Sequence, residues 1–186
     1  MTKKVRIVLF IITLILLAAI ALSFLIRPKA NQITTLTLTD GLGPAINSSA
    51  PNFNLPQLTL KGVVETKGVA KTLSLPKGQE VMVTFFASWC TDCKQDLILL
   101  SSYQDRLRFS VIGIDSGDSK TAGENLIKQY GLKFPIGYDP GESLITGSYN
   151  TKGLPFSVLV NSKGIVVASH LGPLSAALLR QWQNKL

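Results

Sequence analysis

Hydrophobic residues in this chain fall into three kinds of run. The first is continuous: from Ile7 to Ile26 every residue is apolar except Thr13 and Ser23. At about 1.5 Å of rise per residue, about 20 such residues make a helix roughly 30 Å long, the thickness of a bilayer's hydrocarbon core. Lys3, Lys4 and Arg6 precede the run, and Arg27 and Lys29 follow it. That slight excess places the N-terminus inside and the remainder of the chain outside. A cleaved signal peptide is the competing reading, with Ala19-Ile20-Ala21 as its small-x-small site. Its apolar region is usually only about 7–15 residues long, however, and Phe24-Leu25-Ile26 prolong this one. The expected organisation is a signal anchor over residues 1–29, a linker over 30–49 rich in Thr, Ser, Asn and Gly, and a globular domain over 50–186. Thr34 to Thr39 alternates weakly, as a strand would, but a tether accounts for it as well.

The second kind of run is short and rich in β-formers. Val81 to Ala87 predicts a buried strand, and Phe109 to Asp115 a second. The third kind is periodic. Thr91 to Leu107 contains no Gly or Pro, and Leu97, Leu100, Tyr103 and Leu107 recur at helical steps. Ser119 is placed to cap another helix, with Ala122, Leu126, Ile127 and Tyr130 as its apolar face and Gly131 as its stop. Phe134 to Tyr138 predicts a short strand, assigned to a sheet edge because Pro135 has no N–H to donate. Phe156–Val160 and Ile165–Ser169 flank Asn161-Ser162-Lys163-Gly164 as a hairpin. Ser175 to Leu186 predicts a closing amphipathic helix, and residues 53–75 carry weaker strand signals. This order implies an α/β sandwich, a mixed central sheet flanked by helices.

Composition narrows the chemistry. The net charge of +8 comes from 19 basic and 11 acidic residues, and five of the basic ones are Lys3, Lys4, Arg6, Arg27 and Lys29 around the apolar run. From residue 30 onward the signs are nearly balanced and interspersed, so no nucleic-acid partner is expected. One His and two Cys exclude His-clustered metal sites and four-ligand zinc modules. They also disfavour a Ser-His-Asp triad, which would have to converge on His170; that residue reads as a strand-end or surface side chain.

The two cysteines, Cys90 and Cys93, stand at the junction of the first strong strand and its helix. A three-residue offset on a helix brings both side chains to one face. Cys90 at the helix N-terminus would meet free N–H groups that favour a thiolate, whereas Cys93 lies one turn inside. This asymmetry separates an attacking thiol from a resolving one. Copper binding by the two thiolates is the alternative; a structural disulfide closing so short a loop would contribute little.

The segment Phe85-Phe86-Ala87-Ser88-Trp89-Cys90-Thr91-Asp92-Cys93 resembles the active-site segment of the TlpA/ResA-like branch of the thioredoxin superfamily. Ala50-Pro51-Asn52-Phe53-Asn54-Leu55 is similar to that branch's domain opening, and Val111 to Pro135 to its extra strand-and-helix insertion. Tyr149, Gly153-Leu154-Pro155-Phe156 and Gly164 are similar to its "Y…G-x-P…G" block. The resemblance implies a thioredoxin-like fold, a redox-active disulfide with Cys90 as nucleophile and Cys93 as resolving thiol, and a cis Leu154–Pro155 bond facing it. Trp89, Leu154, Pro155 and Phe156 are then the expected docking surface for an extended client, the alternative being that these side chains simply cover the core. Asp96 stands where the family usually carries Glu, and is expected to take the Cys93 proton or raise its pKa; a solvated helix carboxylate is the alternative. The Pro frequent before the second Cys is replaced by Asp92.

The implied activity is that of a membrane-tethered extracytoplasmic thiol–disulfide oxidoreductase without cofactor or metal, acting as a monomer. It would reduce disulfides of exported protein clients, among them apocytochrome c, and draw electrons from a membrane thiol donor. An oxidase running the same exchange backwards and a Cu(I)-binding assembly factor are the alternatives. A peroxiredoxin is disfavoured because Val83 and Ala87 occupy the positions of its Pro and Thr.

Overall fold

The computed structural model describes residues 16–17, 43–63, 65–66 and 69–186. The chain divides into two units, residues 1–37 and 38–186. Of the first unit only Leu16 and Leu17 are described, in helical conformation. The expected membrane helix and the weak strand at 34–39 otherwise lie outside the described residues. Among the described residues no helix is long and apolar enough to cross a membrane.

The second unit is built on one mixed sheet. Its strands are β1 (Leu55–Thr59), β2 (Gly62–Val63), β5 (Thr72–Leu73), β6 (Val81–Phe86), β7 (Ser110–Ser116), β8 (Ile136–Asp139), β9 (Phe156–Val160) and β10 (Val166–Leu171). A separate pair, β3 (Glu65–Thr66) and β4 (Val69–Ala70), lies between β2 and β5 in sequence. The order across the sheet is β10-β9-β6-β7-β8-β1-β2, with β5 also paired to β1. Strands β6, β7 and β8 are parallel, whereas β9 and β1 close the two sides antiparallel. The helices are α1 (Cys93–Tyr103), α2 (Lys120–Tyr130) and α3 (Ala176–Gln183).

The continuous apolar run Val81–Phe86 is buried on both sides, as the centre of a sheet requires. Met82 and Phe86 face one core, which receives Leu97 and Leu100 of α1, Leu126 and Ile127 of α2, and Leu179 and Trp182 of α3. Val81, Val83 and Phe85 face the other, which is covered by Phe53, Leu55 and the turn carrying Leu144, Ile145 and Tyr149. All three helices therefore cover the same face of the sheet, and loop and strand segments cover the opposite one. Ser119 accepts the Ala122 N–H at 3.2 Å, and Gly131 ends α2 at φ 59°, matching the cap and stop expected there.

Strand β8 departs from expectation. It is internal, between β7 and β1, not an edge strand. Pro135 immediately precedes its first residue, so the missing N–H lies outside the ladder, while the Pro135 carbonyl still accepts the Gly113 N–H at 2.9 Å. The true edge at β10 is partly covered by residues assigned to the linker: Asn47 donates to Val166, and Val166 donates to Ser48. An edge strand's free polar groups are satisfied there by local chain.

Candidate functional site

Parallel strands deliver their C-terminal loops to one end of a sheet, and β6 delivers Ala87–Asp92 to that end. The Cys90 N–H bonds back to the Ala87 carbonyl at 3.2 Å, making one tight turn before α1 begins at Cys93. Cys90 and Cys93 are joined by a disulfide, with Cα atoms 5.3 Å apart. Cys90 retains 7% exposure and Cys93 none. The expected asymmetry is present, though the outer sulfur is itself largely enclosed. The Cys93 N–H points at the Cys90 sulfur from 3.2 Å. This is a first-turn amide of α1 with no carbonyl four residues back to bond, so it offers its dipole to a thiolate once the disulfide opens.

Trp89 is 60% exposed beside this pair. An indole left in water next to the outer sulfur covers no core, so its position sets aside the alternative of a buried packing residue. Leu154 is partly buried against both cores, and the Leu154–Pro155 bond is cis. Register places it at the same end of the sheet as the cysteines, because Phe156 pairs with Phe85 of β6. The Pro155 carbonyl accepts the Gly172 N–H at 2.8 Å, tying this loop to the end of β10. Phe156 is a correction. It is 1% exposed and its ring lies 6.1 Å from that of Phe85, so it fills the core and has no face for a client.

Asp96 is not a solvated helix carboxylate, for it is only 2% exposed. Its Oδ1 accepts the Leu174 N–H at 2.7 Å, while among the described residues Oδ2 is buried without a hydrogen-bond partner. Burial raises its pKa to about 6; the Leu174 bond opposes that shift and the charge of Asp92 adds to it. It stands one turn inside α1 and three residues from Cys93, and its protonation changes at about pH 6. His170 lies on edge strand β10, with Nε2 3.2 Å from the Pro173 carbonyl.

Two further acids near the site belong to no motif that singled them out. Asp118 is 5% exposed and accepts both the backbone N–H and the hydroxyl of Ser88. Asp115 is fully buried near the end of β7. A carboxylate terminating an otherwise apolar strand is the only signal that marks it. Among the described residues no group of three or more His, Cys, Asp or Glu converges as a metal site.

Residues 46–169 match the AhpC/TSA family. The thiol-disulfide oxidoreductase ResA of Bacillus subtilis is 30% identical over 140 residues, covering 74% of this chain and 73% of that protein. ResA of Bacillus anthracis is 29% identical over 144 residues, covering 76% and 78%. The crystal structure of StoA from Bacillus subtilis superimposes with a TM-score of 0.57 at 26% identity, over 75% of this chain and 98% of StoA.

Proposed function

This chain belongs to the AhpC/TSA family and is a thiol–disulfide oxidoreductase of the ResA/StoA type, and on that basis we propose that it is tethered to the membrane and reduces disulfides of exported client proteins. The observation that carries the reading is the pairing of a slightly open Cys90 with a sealed Cys93, with Trp89 exposed beside them. The Cys90 thiolate attacks one sulfur of a client disulfide and releases the other client sulfur as a thiolate, which takes a proton. Cys93 then loses its proton and attacks the Cys90 sulfur, re-forming the Cys90–Cys93 bond and expelling the second client thiol. Two electrons pass to the client. Asp96 is the group positioned to receive the Cys93 proton, since a carboxyl titrating near 6 is mostly ionised at neutral pH.

The client lies along the exposed Trp89 and the Leu154–Pro155 backbone, where an extended segment can pair with main chain. The likeness to the TlpA/ResA branch supports apocytochrome c among the clients and a membrane thiol donor that returns two electrons to the disulfide. The apolar run Ile7–Ile26 supports an anchor with the N-terminus in the cytoplasm and the catalytic unit outside.

Cys93→Ala tests this reading, because it removes the resolving thiol. Stable mixed disulfides joining Cys90 to exported proteins are the expected product, identified by mass spectrometry, and their absence would refute client reduction. A reduction potential near about −270 mV supports the reductive direction; one near about −120 mV would reverse it.

A further inference from the structure

Two buried carboxyls unused by the exchange chemistry connect to the loop that presents Cys90. Asp118, between β7 and α2, accepts the Ser88 N–H on Oδ2 at 2.6 Å and the Ser88 hydroxyl on Oδ1 at 2.7 Å. Each oxygen of one carboxylate thus holds one donor of a single residue. Ser88 is the second residue of the Ala87–Cys90 turn, so fixing it fixes the approach of the chain to the nucleophile.

Asp115 pairs in register with Phe86, the last residue of β6, and is 0% exposed. Neither of its oxygens has a hydrogen-bond partner at standard distance among the described residues. Helix α2 packs so closely that a Cβ on Gly123 would collide with Asp115 Oδ2. An ionised carboxylate cannot rest there without a cation or donor. Burial first, then the influence of neighbouring Asp118, push Asp115 up to about 8.

Among the described residues no hydrogen-bond donor reaches either oxygen of Asp115, and Glu142 Oε1 lies against Gly117, the residue before Asp118. Strands β6 and β1 carry no titratable side chain. From β8, Tyr138 donates its hydroxyl to the Asp118 main-chain carbonyl at 3.1 Å, and the Asp139 carboxylate is held by Ser143 and the Leu144 N–H. On α2, Lys120 and Glu124 lie against Gly62, and Lys128 is exposed.

We propose that Asp118 is a positioning residue for the exchange reaction: its carboxylate clamps Ser88 through both oxygens and holds the turn that presents the Cys90 sulfur. The proposal rests on Cys90 being the exchanging thiol.

The test is the rate at which iodoacetamide alkylates Cys90 in the reduced full-length chain, read by mass spectrometry between pH 6 and 10. Asp118→Ala should slow alkylation at pH 7 roughly tenfold, the worth of a charge-assisted hydrogen bond. Should that variant fail to fold, the Ser88 pair decides. Ser88→Ala should be slower than wild type by roughly threefold, and Ser88→Thr, which keeps the hydroxyl, should restore the rate. Wild-type rates in all of the folded variants would overturn the clamp while leaving thiol exchange intact. A Cys90 inert throughout the wild-type range would overturn both.

Discussion

A carboxyl group that keeps its proton inside a fold makes stability depend on pH in a predictable direction. Asp115 titrates near 8 in the folded chain against an ordinary value of 3.8, and Asp96 near 6. Between the ordinary value and the raised one, the folded state holds a proton that the unfolded chain has released. Stability therefore falls as pH rises from about 4 to about 6 through both groups, and from about 6 to about 8 through Asp115 alone. The slope is at most about 1.4 kcal/mol per pH unit for each proton. Urea titrations at pH 6 and 8 should show this loss, and Asp115→Asn should flatten it. Asp96→Asn makes a separate prediction: with the acceptor for the Cys93 proton gone, resolution of a trapped mixed disulfide should slow by about 10²-fold, with initial attack by Cys90 little changed. An unchanged resolution rate would remove Asp96 from the mechanism.

At the level of a single element, α2 shows how a local signal and a packed contact differ. Its ends were legible because capping is local: Ser119 and Gly131 satisfy the helix's own backbone groups. The reason for Gly123 was not, because it lies in β1 and β7, where Leu58 and Asp115 approach the helix. Helix propensity alone favours Ala over Gly by about 1 kcal/mol. Here the added methyl meets Asp115 and Leu58, so Gly123→Ala should destabilise the protein by about 1–3 kcal/mol, read as a fall of several degrees in Tm by calorimetry. Strand β8 teaches the same distinction. Pro135 marks the start of a strand equally well at an edge or in the interior, and only the arrival of β1 makes the position internal.

Across the molecule, the site is a meeting of loops from one end of the sheet. The β6 loop brings the cysteines, the β7 loop brings Asp118 to Ser88, and the segment after β10 brings the Leu174 N–H to Asp96 and the Gly172 N–H to Pro155. The anchoring expected from Ile7–Ile26 is likewise a property of the full chain. The full-length protein should sediment with membranes and resist extraction by high salt, with an intact mass that includes the N-terminal segment. A mature form beginning near Leu22 would show cleavage in its place.

Read along the chain, the residues were enough to give the order and type of the main strands and helices, the pairing of Cys90 with Cys93, and the likeness that singled out Pro155. The elements and the cysteine pairing follow from hydrophobic period, capping residues and three-residue spacing, all properties of neighbours along the chain, whereas Pro155 was marked only by the resemblance to the TlpA/ResA branch. Folding alone revealed that Phe156 fills the core, that Asp96 is buried against Leu174, and that Asp118 holds Ser88. Burial of a charge and the partner it finds depend on segments that are remote in sequence, as Ser88 is from Asp118, and no local pattern records which of them will meet.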